Sequence, residues 1–331
     1  MVNVTVYIKE NDPVSEEINN ILDELDKELP FQKVVIDIAS DKSIFEKYKE
    51  VAPLVIVGPY QLKAPITRQD LWVSINAARD RQEKLQLTDK DYQKKVQRGN
   101  EITKTDRFTL MLSENYIYFL NLLLLIYVGL PFLAPILEKN NMDGAAKIIY
   151  TIYSPVCHQL AYRSWFLFGE QPYYPRELAQ IEGVKTYEAV TGADPANLLA
   201  GRQFIGNQAL GFKVAICERD VAIYGAMLLF GILFMLTGRK IKAIPWYVWV
   251  GLGMIPMGID GGSQLFSFAQ GYFPVWVPVR ESTPLLRTLT GALFGITTTW
   301  YVLPIIEESM RESRSFILRK FAVIKSKIDS N

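Results

Sequence analysis

Two cysteines, one histidine and a few arginines and carboxylates between residues 157 and 291 are the groups with which this 331-residue sequence could do chemistry. They fall into four short clusters. Cys157-His158-Gln159 is followed by Arg163-Ser164, and Cys217-Glu218-Arg219-Asp220 by Tyr224-Gly225. Pro256-Met257 precedes Asp260-Gly261 and Gln264, and Arg287 precedes Thr290-Gly291 and Gly295. Thiolate, imidazole and carboxylate are the ordinary ligands of zinc, so Cys157, His158, Cys217 and Asp260 make a credible four-ligand set. Their spacing is not that of a zinc finger. A Cys157–Cys217 disulfide on an oxidising face, with His158 as a hydrogen-bonding residue, is the competing reading, and two unpaired thiols are a third. Arg163, Arg219, Asp260, Gln264 and Arg287 form a second candidate cluster, suited to a polar or anionic head group through the bidentate arginine fork. Asp260 and Arg287 flank apolar runs, where unpaired charge is costly, and are expected to pair with each other. No nucleophile–base pair or metalloprotease motif is present, so no catalytic residue is assigned.

Taken in order, the four clusters resemble the bacterial and archaeal membrane family catalogued as domain of unknown function 2085. That family carries C-H-Q…R-S, C-x-R…Y-G, P-M…D-G-x-x-Q and R-x-x-T-G-x-x-x-G. The likeness covers about residues 145–300 and implies a membrane fold and a set of candidate residues, but no activity.

These residues have to be positioned by apolar helices. A helix needs about 20 apolar residues to cross the hydrocarbon core. Four runs qualify: about 116–137, 218–237, 243–263 and 285–306. Pro131 and Pro135 are expected to kink the first, and Gly291 and Gly295 set a small-x-x-x-small spacing for close helix contact in the last. Tyr116, Tyr118, Trp246, Tyr247, Trp276 and Trp300 sit at the run ends, as an interfacial belt requires. The basic loop 239–242 and the basic tail 311–331 predict a cytoplasmic side for both. An even number of spans then places both termini in the cytoplasm of a multi-pass plasma-membrane protein, and the loop 139–217 outside. Within that loop, 145–153 and 160–168 are apolar enough to suggest re-entrant or interfacial helices.

Ahead of the spans the composition changes. Residues 2–8, 33–39, 53–58 and 61–64 read as strands, and 15–29, 42–50 and 67–85 as helices, with Thr67 capping the last through Asp70. This β-α-β-α-β-β-α order resembles the thioredoxin fold, and 1–85 is most similar to small glutaredoxin-like proteins. Ala52-Pro53 matches that fold's cis-proline position. Where the family carries C-x-x-C, this chain has Asp12-Pro13-Val14-Ser15. Asp12, Ser15 and Pro53 thus mark a degenerate redox site, since without a thiolate there is no disulfide exchange. Residues 86–113 read as a charged linker or helix.

The expected fold class is therefore a multidomain α+β chain: a thioredoxin-like head, then a helical membrane bundle of about four spans across 114–310. A net charge of +1 argues against nucleic-acid binding. The expected function is a structural or assembly subunit of a membrane complex, its head docking a protein partner. The alternative is a membrane enzyme acting on a lipid or polyprenyl-type substrate at the outer face, with zinc as the one cofactor the residues suggest.

Overall fold

The computed structural model describes residues 2–9, 12–40, 42–89, 91–194, 197–268 and 279–329. The chain divides into two units, one of residues 1–115 with 308–331 and one of residues 116–307.

The first unit opens with β1 (Asn3–Ile8), α1 (Pro13–Glu28), β2 (Gln32–Asp37), α2 (Lys42–Tyr48), β3 (Leu54–Val57), β4 (Tyr60–Lys63) and α3 (Arg68–Thr88). The strands form one mixed sheet in the order β2-β1-β3-β4. β1 and β2 are parallel, while β3 runs antiparallel to both β1 and β4. Period-two alternation divides the apolar residues between two faces. Val4, Val6, Val55 and Val57 meet Ile18, Leu22 and Leu25 of α1 and Leu71 and Ile75 of α3. Thr67 closes the start of α3 in a capping box with Asp70. The Ala52-Pro53 peptide is cis.

On the other face, Tyr7, Val34, Ile36, Leu54 and Ile56 are covered by Leu318, Ala322 and Val323. Those three belong to α12 (Pro284–Asp329), the last of the helices, whose residues 308–329 lie in this unit. Further ties hold that segment: Gln32 donates to Ser326 at 3.2 Å, and Lys47 to Ser315 at 3.3 Å. Lys320 pairs with Asp106 at 2.6 Å. Residues 311–329, a basic tail by composition, are thus a packed helix rather than a solvated end. After α3 the chain continues into α4 (Tyr92–Asn100) and the start of α5 (Lys104–Lys139).

The second unit takes the rest of α5, then α6 (Asp143–Tyr153), β5 (Ser164–Leu167), α7 (Tyr187–Thr191), α8 (Leu198–Gln203), β6 (Gly206–Asn207) and β7 (Gly211–Cys217). There follow α9 (Glu218–Leu236), α10 (Trp246–Trp249), a π-helical stretch Val250–Met254, α11 (Ile255–Phe268) and the first part of α12. Among the described residues, α5, α9 and α12 are the three helices long and apolar enough to cross a membrane. Their exposed leucines, such as Leu123 on α5, Leu229 and Leu236 on α9 and Leu285 on α12, form the kind of apolar surface that lipid covers. Residues 246–268 are helical throughout, in three successive pieces. α5 remains one helix through Pro131 and Pro135.

The stretch 139–217 is folded, not a loop. β5, β7 and β6 form an antiparallel sheet over a core of Tyr162, Phe166, Tyr174 and Tyr187. α6 has 11 residues, about 16 Å of rise, too short to cross a bilayer. The second suggested helix, 160–168, is instead a single turn of 3-10 helix followed by β5.

Helix contacts in this unit are close where residues are small. A Cβ on Gly295 would lie 2.2 Å from the Ile223 carbonyl oxygen, and one on Gly291 would lie 2.9 Å from that of Arg219. The small-x-x-x-small pair therefore sets the α9–α12 contact. At the end where the chain enters and leaves the unit, Tyr116 donates to Glu307 at 2.8 Å, and Arg239 lies 3.6 Å from the same carboxylate. The Arg239 guanidinium also stands over the Tyr116 ring. Trp300 Nε1 donates to the Lys242 carbonyl there. Trp276, another residue assigned to the belt, lies outside the described residues.

Candidate functional site

The chemistry-bearing residues gather at the opposite ends of these helices, where β7 runs directly into α9. Cys217 is the N-cap of α9, and its Sγ accepts the Asp220 amide at 3.5 Å. Cys157 reaches it from the end of α6. Gln159, buried with φ of 54°, donates to the Tyr150 carbonyl at 2.8 Å and to the Ala215 carbonyl at 2.9 Å. It thereby ties α6 to β7 and sets the two cysteines side by side. The Cys217 amide donates to Cys157 Sγ at 3.2 Å. Both cysteines are free, and no disulfide joins them. Hydrogen bonding from the Cys217 thiol holds Cys157 below the usual thiol range. The same bond, with burial, pushes Cys217 well above it. Cys157 is the readier thiolate of the pair.

The ligand atoms of Cys157, Cys217 and Asp220 all lie within 4.8 Å of one another. This is not the four-residue set expected from sequence. Asp220 replaces Asp260 because it stands three residues after Cys217, one helical turn along the same face. His158 is exposed at the rim. Asp260 is engaged elsewhere.

The carboxylates and arginines form a buried network. Asp260, 2% exposed, takes Arg219 at 2.6 Å and Arg280 at 2.9 Å, and accepts the Ser282 hydroxyl at 2.9 Å. Glu281, also buried, accepts from Arg163 at 2.7 and 3.0 Å, from Gln264 and from Arg287, and lies 3.7 Å from Arg176. Arg287 reaches Glu218 as well, at 3.2 Å. The expected Asp260–Arg287 pair is therefore not made. α12 presents Arg287 to Glu218 on α9 and to Glu281 just ahead of its own start, while Asp260 faces Arg219. Sequence reasoning misses Arg176, Arg280 and Glu281, and it names Glu218 and Asp220 without giving either a role. Glu218 and Asp220 stood inside the C-E-R-D cluster, and their charge and position were the available signal. Arg280 and Glu281 resemble an ordinary solvated flank of a span.

A cavity of about 230 Å³ opens among these groups. Cys157, His158, Arg163, Cys217, Arg219, Asp220, Gln264 and Arg287 supply its polar lining, with Val156 and Leu160 beside them. Asp260 lies behind it. The Arg219 Nε and one Glu218 carboxylate oxygen are buried without a hydrogen-bond partner among the described residues. An orphaned buried donor of this kind costs about 1–3 kcal/mol until an acceptor meets it.

The residues of the degenerate redox site have a different task in the first unit. Asp12 is the N-cap of α1, accepting from the Ser15 amide at 3.0 Å and its hydroxyl at 2.7 Å, with Pro13 in the first turn. The Ser15 hydroxyl holds the Asp12 carboxyl below the usual carboxylate range. Pro53 leads into β3.

Residues 204–301 match the family described as "Predicted membrane protein (DUF2085)". That span holds Cys217, Arg219, Asp220, Asp260, Gln264 and Arg287, but not Cys157, His158 or Arg163. The chain is also similar to "Uncharacterized protein MJ1492" of Methanocaldococcus jannaschii, 27% identical over 205 residues, which is 60% of this chain and 96% of that protein.

Proposed function

We propose that this chain is a four-span membrane protein whose cavity, on the face opposite both termini, binds the anionic head group of an amphiphile. The observation that carries the reading is the Arg219 Nε, buried and without a hydrogen-bond partner among the described residues, beside a cavity that Arg163 and Arg287 also line. An oxyanion supplies the missing acceptor, and a cavity at the ends of apolar helices suits a ligand whose tail stays in lipid. The network behind the cavity argues the same way, because charges at span ends face a partner or an interior site.

The make-up of the first unit supports the even count of spans. It holds residues 1–115 and 308–331, packed together through Val323 and the Lys320–Asp106 pair. A chain that leaves it at 116 and returns at 308 crosses any membrane an even number of times. Three crossings would strand the two parts on opposite faces. Residues 246–268, helical but interrupted in pattern by a π-helical stretch, supply the fourth. Basic residues at 239–242 and after 311 favour the cytoplasmic side of a plasma membrane for the termini.

We read the first unit as thioredoxin-like on its strand order and on the antiparallel third strand. Both cysteines lie outside it, so it carries no thiol exchange. A second reading, an assembly subunit that docks a protein through this head, is favoured by Trp72 and Val73, both exposed on α3. One sheet face is unavailable to such a partner, because α12 covers it.

Native mass spectrometry of the gently solubilised chain tests the first reading. A retained anionic lipid, lost in Arg219→Gln protein of unchanged helix content, is expected. Equal retention by the variant, or an adduct that is a protein bound through α3, would contradict it.

A further inference from the structure

We infer that Cys157, Cys217 and Asp220 form a binding site for one divalent transition metal of the zinc type, with its fourth position open to the cavity. The inference goes beyond head-group binding and does not rest on it. Three features carry it. First, the chain's two cysteines, scarce residues placed 60 positions apart, are brought together at one spot by the Gln159 tie. Second, Cys217 and Asp220 occupy the N-cap and the third residue of α9, so both side chains turn to the same side of its first turn. Third, the three ligand atoms lie within 4.8 Å of one another.

Tetrahedral zinc, with Zn–S of about 2.3 Å and Zn–O of about 2.0–2.2 Å, needs ligand atoms roughly 3.5–3.8 Å apart. Contraction by at most about 1.3 Å, within the reach of side-chain rotation, completes the triangle. The surroundings suit a thiolate-bound ion. Backbone amides of Cys217 and Asp220 already point at the two sulfurs, and the α9 N-terminus favours negative charge. Binding displaces the thiol protons to solvent and leaves two thiolates and a carboxylate on the ion. Three protein ligands and an open position are the pattern of a site that takes water or a ligand oxygen. His158 lines the cavity without joining the triangle, so it is no ligand.

The test uses the full chain, purified in detergent with reductant, stripped by chelator and reloaded with Zn²⁺. We expect about one ion retained per chain, and both thiols protected from maleimide by Zn²⁺. Removal of an outer-shell partner alone typically costs about 10–100-fold in metal affinity. Loss of a ligand in Cys217→Ser or Asp220→Asn should therefore lower it at least about tenfold, while His158→Ala leaves stoichiometry unchanged. Protection of the unaltered protein is read independently of how the variants fold. The inference is overturned if Zn²⁺ changes neither retention nor alkylation, or if a Cys157–Cys217 disulfide forms despite loading. Metal that Cys217→Ser and Asp220→Asn bind as tightly as the unaltered chain would overturn it too.

Discussion

Glu281 accepts hydrogen bonds from three parts of the second unit, Arg163 after α6, Gln264 on α11 and Arg287 on α12, and pairs with Arg176 as well. Removing one partner of a buried ion pair typically costs about 3–5 kcal/mol, because the other charge is left uncompensated. Glu281→Gln should therefore lower the unfolding midpoint in detergent markedly, and Glu177→Gln, at an exposed acid of the same unit, should not. Equal effects would mean the network carries no particular weight. Lys213 offers a pH handle. Its ammonium is buried on β7, donating to the carbonyls of Gln159 and Arg202, and burial pushes it from 10.5 down to about 7. Between those values the unfolded chain holds the proton and the folded chain does not, so stability rises as pH climbs from about 7 towards 10. Metal-free protein melted across that range should show the rise, and Lys213→Met protein should lack that part of it. An identical slope in both would remove Lys213 as the cause.

The elements of the first unit were legible because each strand and helix announces itself by period, and their order followed from the order of those periods. Thr67 and Asp70 even marked a capped start. What period does not reveal is a partner distant in sequence. The stripe of Leu318, Ala322 and Val323 is masked by the lysines and arginines around it, so the last part of α12 reads as a tail in the sequence. For the same reason the cysteines, rare and clustered, stood out as site residues, whereas Glu281 and Arg280 passed as solvated flanks. Which arginine serves Asp260 depends on the mutual register of three helices and is invisible to spacing. Two variants test the element contacts. Val323→Asp puts a charge against the sheet and should expose the first unit to limited proteolysis; continued resistance would mean α12 is dispensable there. Gly295→Ala sets a methyl 2.2 Å from the Ile223 carbonyl oxygen and should destabilise the bundle by about 1–3 kcal/mol. Gly225→Ala, with open space around it, is the control.

At the scale of the whole molecule, the two ends of the chain are held in one unit, while Cys157, Cys217, Arg219 and Arg287 line a cavity in the other. The proposed even number of crossings predicts a topology. On it, residues 24 and 240, both exposed, lie on one face of the membrane and the exposed residue 182 on the other. The decisive measurement is labelling by an impermeant maleimide in sealed vesicles of Glu24→Cys, Lys240→Cys and Glu182→Cys, each in a Cys157→Ser/Cys217→Ser background. Labelling of Glu182→Cys from one face only, and of the other two only from the opposite face, is the predicted result. Labelling of Glu182→Cys and Lys240→Cys from the same face would contradict the account.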